Sequence, residues 1–328
     1  MKRDLIEVLA DPDTGESVEL SEVREERDGR VLEGTLRTPS GRTFPIVRGI
    51  PRFVPETSYA ANFGLQWNKF RKEQLDSDQG SSLSRERYET ETRWSAAEVK
   101  GKWMLDAGCG AGRFAQIAAR TGTRLVALDI SSAVDACAET VRAYPEADVV
   151  QGDLARPPLK RGVFDYAYCL GVIQHTPDRG ASLRAVVSAV KKGGKFAFTI
   201  YPRKPWTKLH GKYWARHVTK RLPNDLLLGT LEKVMPALFA FGERVFPLPG
   251  AGVLARFASP FAVYLESERP GWNRDQRYQE SLLDTFDMLA PTFDEPMTEG
   301  EVRDALGSLR VESLEFPRSV GLNAVGLR

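Results

Sequence analysis

The segment WMLDAGCGAGRF, residues 103–114, carries the fold of this chain. Trp103–Ala107 is a short apolar run of strand composition that closes on Asp106 and Ala107. Glycine then recurs at every second position, Gly108, Gly110 and Gly112, ahead of a helical pattern from Arg113 to Arg120. Small residues let the backbone approach a ligand closely, and the helix start offers unpaired N–H groups. About twenty residues on, Asp129 ends a second strand, where a carboxylate can accept hydrogen bonds from both hydroxyls of a ribose. A dinucleotide would be served by these features too, so three others discriminate. Arg113 stands where the dinucleotide fingerprint has its third glycine. Asp106, directly ahead of the turn, would repel a pyrophosphate but suits the amino-acid part of a cofactor. Gln151-Gly152-Asp153-Leu154 ends a third strand with an acceptor for an adenine amino group.

Outward from this segment, strands and helices alternate. Arg124–Leu128, Ala147–Gln151, Phe164–Leu170 and Lys195–Tyr201 read as strands, and Ala133–Ala143 and Ala181–Val190 as helices. Apolar strands separated by helices predict a parallel sheet covered on both faces. The alternation stops after Pro202 and resumes at Thr298-Glu299-Gly300-Glu301, a capping-box pattern. Two strands are expected after it, Val311–Phe316 and Leu322–Leu327. At the other end, Val31–Arg37 and Thr43–Val47 have strand composition, with Pro39-Ser40-Gly41 as turn chemistry between them. The expected organisation is a β-rich unit over 1–55 and a helical arm over 56–100. A core spans 101–201 and 298–328, and a mostly helical, substrate-capping insertion occupies 202–297.

Five blocks, WMLDAGCGAGRF, VALDIS, QGDLARPPL, FDYAYCLGVIQHTPD and VKKGGKFAF, follow one another between Lys102 and Tyr201. In order and spacing they resemble the class I S-adenosyl-L-methionine-dependent methyltransferases of the type 11 kind. The resemblance implies an α/β fold, a Rossmann-like seven-stranded sheet with a small β-rich N-terminal domain and a helical insertion after strand 5. It also implies an enzyme (EC 2.1.1.-) with S-adenosyl-L-methionine as cofactor. By resemblance, Asp106 and the turn residues Gly108, Cys109, Gly110 and Gly112 meet the cofactor's methionine end. Asp129 meets the ribose and Asp153 the adenine, which Ile130 and Leu154 flank; Leu170 completes the cofactor set. The stretch FGLQWNKF, with Arg85 and Trp94 beyond it, is similar to arms that fold over the cofactor. Trp67 and Arg85 are the contacts expected from it, set against ordinary helix packing and a solvated arginine.

A sulfonium is already electrophilic, so catalysis chiefly requires in-line placement of a nucleophile and removal of its proton. Ligands sit at the C-terminal ends of parallel strands, which puts substrate at the loop Gly171–Asp178. His175 is the candidate base or substrate-orienting group, the alternative being a packing and cofactor-contact histidine. CLGV stands where methyltransferases acting on base amino groups carry an NPPY-like segment, so DNA is not an expected partner. Cytosine C5 chemistry needs a nucleophilic cysteine in a Pro-Cys setting, which neither Cys109 nor Cys169 has. Gly171 and Gln174 stand in the segment where the metal-binding quinone-pathway O-methyltransferases place glutamates, so no metal is expected.

Residues 1–55 resemble the small Trm112-like zinc-ribbon domain, above all in RTPSGRTFPIVRGIPRFVP. The positions matching its two Cys-x-x-Cys pairs are Asp11, Thr14, Arg37 and Ser40. A closed zinc site needs thiolate or imidazole ligands, so this unit is expected to hold together by apolar packing instead. The three cysteines, Cys109, Cys137 and Cys169, are odd in number and widely spaced, as in a reduced cytoplasmic protein. The N-terminus lacks the apolar run of a signal peptide, and Leu226–Leu248 is too interrupted by charge for a membrane span.

The net charge is only +2, but it is unevenly spread: Arg179–Asn224 contains no Asp or Glu. Within it Lys204, Lys208, Lys212, Arg216 and Lys220 recur at four-residue spacing, and Trp206, His210, Tyr213 and His217 fall on one helical stripe. Such a segment, 203–221, can bind an anionic partner or lie on a membrane surface; the plainer reading packs the stripe on the core and solvates the lysines. The FGLQW arm, the GVIQHTPD loop and TFDMLAPTFD (285–294) resemble bacterial methyltransferases of secondary metabolism or of surface-glycan and lipid pathways. The expected acceptor is an O or N atom of a small-molecule, glycan or lipid-linked substrate. RNA methylation and a non-catalytic, adenosyl-binding partner subunit are the alternatives.

Overall fold

The computed structural model describes residues 1–54, 75, 82–319 and 321–328. These form two compact units, one of residues 1–54, 82–202 and 293–328, the other of 75 and 203–292.

In the first unit four antiparallel strands come first: β1 (Glu19–Arg27), β2 (Arg30–Arg37), β3 (Thr43–Val47) and β4 (Ile50–Pro51). Helices α1 (Leu83–Thr92) and α2 (Ala96–Val99) follow, and then the alternating core. Its elements are β5 (Trp103–Ala107), α3 (Arg113–Arg120), β6 (Arg124–Asp129), α4 (Ala133–Val141), β7 (Ala147–Gln151), β8 (Phe164–Leu170), α5 (Arg179–Ala189) and β9 (Val190–Ile200).

The seven-stranded sheet has the order β10-β11-β9-β8-β5-β6-β7, with β10 (Ser313–Glu315) and β11 (Leu322–Leu327) supplied by the C-terminus. The five strands from β9 to β7 are parallel, and β11 runs antiparallel to β9. This is the α/β arrangement with a seven-stranded sheet and a small N-terminal antiparallel sheet that the sequence led us to expect. Chain order reverses between β5 and β8, so the switch point where such sheets bind ligands lies at the C-terminal ends of these two strands. Residues on one face, including Leu105, Val126, Cys169 and Phe198, and on the other, including Met104, Leu125, Tyr168 and Ala197, are buried. Burial on both faces is why the strands are near-continuous apolar runs.

The strand bounds that differ most from expectation are those of β9 and β10. β9 begins at Val190, directly after α5, because Val190 already pairs with Phe164 before an irregularity at Tyr166. β10 is limited to three residues, since it pairs only with the end of β11.

The N-terminal strands are joined to the main sheet at its β7 edge. Arg52 bridges Gln151 in parallel, and Phe53 N donates to Gln151 O at 2.9 Å. The positions matched to zinc-ribbon cysteines hold a different clip. Asp11 Oδ1 accepts from Asp13 N and Thr14 N and pairs with Arg42 at 3.1 Å, while Ser40 meets Thr38 and Glu16. Among the described residues no three His, Cys, Asp or Glu side chains are grouped so as to hold a metal ion.

The second unit is helical: α6 (Gly211–Thr219), α7 (Asn224–Val245), α8 (Ala251–Ala258) and α9 (Arg274–Leu289), followed in the first unit by α10 (Glu299–Leu306). The stripe expected from Trp206 through His217 does not form one helical face. His210 Nδ1 accepts from Lys212 N at 3.3 Å as the N-cap of α6, so Trp206 lies before the helix. Rotation of α6 is set by Arg216, which is buried and donates to the carbonyls of Met288 (3.1 Å) and Pro291 (2.7 Å). Trp214 and Val218 are turned outward as a result, 66% and 64% exposed. No helix among the described residues is long and apolar enough to cross a membrane.

Candidate active site

The turn after β5 is pinned by its own backbone. Gly108 N and Cys109 N both donate to Leu128 O, at 2.7 and 3.0 Å, and Thr140 Oγ1 donates to Ala111 O at 2.8 Å. Glycine is required at two of its positions for separate reasons. A Cβ on Gly108 would stand 2.6 Å from the Val172 methyls, and Gly112 caps α3 with φ at +91°. The loop after β8 thus presses against the turn and leaves backbone where side chains would otherwise stand.

Asp106 is buried at the C-terminal end of β5, and its Oδ2 has no hydrogen-bond partner. Burial pushes its carboxyl up to about 8; the Tyr168 hydroxyl beside it offsets part of this, and the charge of Asp129 adds to it. Once ionised, an orphaned carboxyl oxygen at this place suits a cationic group. Asp129, half-buried at the end of β6, accepts from Gly110 N at 3.0 Å through one oxygen, and from Ser131 N and Oγ at 2.8 and 2.7 Å through the other. Burial raises its carboxyl as well. Asp153 follows β7 and accepts from Ala155 N at 2.9 Å, while Leu154 is buried and Ile130 half-buried beside it.

His175 lies in a short 3-10 turn after β8 and is 6% exposed. Its Nδ1 donates to Phe293 O at 2.9 Å, and its ring meets Tyr201 edge-on at 5.6 Å. A carbonyl can only accept, so this bond puts the proton on Nδ1 and makes Nε2 the accepting nitrogen of the neutral ring. Gln174, fully buried, donates from Nε2 to Gly171 O at 2.7 Å.

Asp106, Gly108, Cys109, Gly110, Gly112, Asp129 and Leu170 therefore gather around the switch point, with Ile130, Asp153 and Leu154 beyond β6. Trp67 lies outside the described residues. Arg85 is exposed on α1, and Arg87 of the same helix lies against the loop after β8. A Cβ on Gly171 would lie 3.5 Å from Arg87 Nη2, whose guanidinium is held by Glu91 at 2.9 Å and sits 5.3 Å from the Phe114 ring centre. No sequence pattern distinguished Arg87 from Arg85, because the choice depends on which face of α1 meets the sheet. Tyr168 was legible only as one of the alternate residues of FDYAYCL that share a face with Asp106. Arg52 was not legible at all. It donates to Gln151 Oε1 (2.7 Å) and Asp135 (2.8 Å), and Gln151 Nε2 donates on to Ile130 O (3.1 Å).

These residues fit S-adenosyl-L-methionine: an unpartnered buried carboxyl oxygen for an ammonium, a glycine turn half-buried at Gly108 and Gly110, and an acidic group at the end of β6. Residues 105–198 match the family model described as a methyltransferase domain. The chain is 30% identical over 128 residues to the ubiquinone biosynthesis O-methyltransferase of Pseudomonas entomophila (38% of this chain, 55% of that protein). It is 31% identical over 130 residues to the enzyme of that name from Sodalis glossinidius (38% and 51%). It thus spans about half the length of the curated relatives it matches. Among solved structures, the N-methyltransferase NodS of Bradyrhizobium japonicum, in complex with S-adenosyl-L-homocysteine, is similar with a TM-score of 0.35 and 19% identity, over 42% of this chain and 74% of that one.

Proposed function

We propose that this chain transfers the methyl group of S-adenosyl-L-methionine to an O or N atom of a small-molecule, glycan or lipid-linked acceptor. The observation that carries the proposal is the unpartnered Asp106 carboxylate beside the glycine turn. When bound, the cofactor supplies a methyl group already activated on a sulfonium. Asp106 takes its ammonium, the turn from Gly108 to Gly112 its methionine backbone, Asp129 the ribose hydroxyls, and Asp153 with Ile130 and Leu154 the adenine. Leu170, Arg85 and Trp67 belong to the cofactor side in this reading, and Arg87 joins them. His175, with Nε2 as acceptor, receives or orients the acceptor's proton. An oxygen acceptor is favoured by the O-methyltransferase names of the relatives.

A lipid-linked acceptor gains support from the second unit. Trp206, Leu209, Trp214, Val218 and Leu226 are all more than half exposed in a stretch whose charged residues up to Asn224 are all basic. Aromatic and aliphatic side chains interleaved with lysines suit an anionic membrane surface. The N-terminal strands read as a Trm112-like unit in which the Asp11–Arg42 clip replaces zinc. The test is incubation of the protein with methyl-labelled S-adenosyl-L-methionine and host extract, followed by identification of what carries label. Label on a small or lipid-linked molecule is expected; label confined to RNA, or to nothing, refutes the proposal.

A further inference from the structure

A row of buried polar side chains without partners crosses the sheet, and the cofactor reading uses only its first member. Asp106 on β5 pairs in register with Tyr168 on β8, and Leu170, two residues past Tyr168, pairs with Thr199 on β9. Thr199 is opposite Asn323 on β11. Register partners share a face, so Asp106, Tyr168, Thr199 and Asn323 lie on the same side of the sheet. Strands are about 4.8 Å apart and rise about 3.3 Å per residue, which sets Thr199 roughly 12 Å from Asp106, two strands over and two residues nearer the ligand-binding edge. Thr199 Oγ1 and both polar atoms of Asn323 make no hydrogen bond, although Thr199 is 4% and Asn323 1% exposed, whereas the Tyr168 hydroxyl lies beside the Asp106 carboxyl.

Helix α1 covers this face, with Tyr88 against Tyr168 and the helix lying along β9 and β11. It carries Glu91, 4% exposed, whose Oε1 is held by Arg87 while Oε2 has no partner. Two residues past Thr199, Tyr201 meets His175. The row therefore runs from the cofactor carboxylate toward the candidate base.

A buried asparagine that bonds nothing is costly, and leucine would fill the same space without desolvating an amide. Its retention beside a second orphan points to a ligand. Resting on the methyltransferase reading, we infer that Thr199 and Asn323, with Glu91 on α1, form the acceptor-binding subsite, and that it takes a neutral hydrogen-bonding group, a hydroxyl or an amide. Asn323 both donates and accepts, Thr199 does either, and Glu91 accepts. The carboxylates Glu91 and Asp106 disfavour a phosphate or carboxylate in the same space.

The test compares the wild type with the Thr199→Val/Asn323→Leu double variant, using methyl-labelled S-adenosyl-L-methionine and a total host extract, polar metabolites and lipids together, as acceptor pool. Cofactor affinity by calorimetry, melting temperature and label transferred are the three readouts. The subsite predicts unchanged cofactor affinity, a melting temperature equal or higher, and at least a tenfold loss of transfer. Transfer within twofold of wild type, with the same or a higher melting temperature, identifies the orphans as structural and overturns the inference. A wild type that binds cofactor but labels nothing overturns the methyltransferase reading, a result separate from failure of the variant alone. If the double variant melts early, Thr199→Ser and Thr199→Val decide: retained transfer in the first and tenfold loss in the second support the subsite, and equal transfer refutes it.

Discussion

In the proposed function Asp106 combines a binding role with a cost to the fold. A carboxyl raised to about 8 by burial is mostly protonated at neutral pH in the free protein. It must ionise to meet an ammonium, so affinity for S-adenosyl-L-methionine is expected to rise with pH and level off above about 8, as calorimetry across that range will read. The stability effect has the opposite sign. A carboxyl whose folded value exceeds its unfolded one favours folding at low pH, and that contribution is lost as pH rises toward the folded value. Asp106→Asn should therefore weaken cofactor binding at least tenfold while raising the melting temperature of the free protein, more at pH 8 than at pH 5. His175→Ala is expected to lower transfer by about a hundredfold or more if it moves a proton, with cofactor affinity unchanged; a matching loss of affinity would assign it to the cofactor instead.

At the level of elements, the N-terminal strands support the edge of the sheet. Arg52 reaches from just past β4 to Gln151 and Asp135, and Gln151 holds the carbonyl of Ile130, which is expected to flank the adenine. Arg52→Ala should cost about 1–3 kcal/mol in chemical denaturation, from the buried acceptors it abandons. It should also weaken cofactor binding severalfold without altering turnover at saturation. On α6, Arg216 is spent on the carbonyls of Met288 and Pro291 rather than on a partner molecule. Of the cations that recur in this segment it is the buried one, and Arg216→Ala is expected to lower the melting temperature by several degrees.

For the whole molecule, exposed large apolar side chains concentrate in the second unit, where Val253 and Leu254 (71% each) add to Trp214 and Val218. If this unit meets a membrane, the protein should float with vesicles containing anionic phospholipid and not with neutral ones. Replacing Trp214 and Val218 by Ser should abolish flotation while leaving cofactor affinity intact. Loss of flotation at high salt alone would assign the contact mainly to the lysines.

The glycine turn, Asp106, Asp129 and the alternation of strands and helices were legible because each rests on local chemistry: small residues where backbone must approach a ligand, apolar runs where both faces are covered, acidic groups at strand ends. Tertiary structure decided what depends on register and rotation. Arg87 lies against the loop after β8 because of how α1 is turned, and Trp206 falls outside α6 because His210 caps it. Thr199 and Asn323, far apart in the chain, become neighbours only when the C-terminal strand inserts beside β9. Sequence alone determined the kind of cofactor this chain is built for, through contacts a short segment can specify by itself. The proposed acceptor side was decided by strand pairing, because its groups lie on separate elements and acquire a common purpose only when the sheet is assembled.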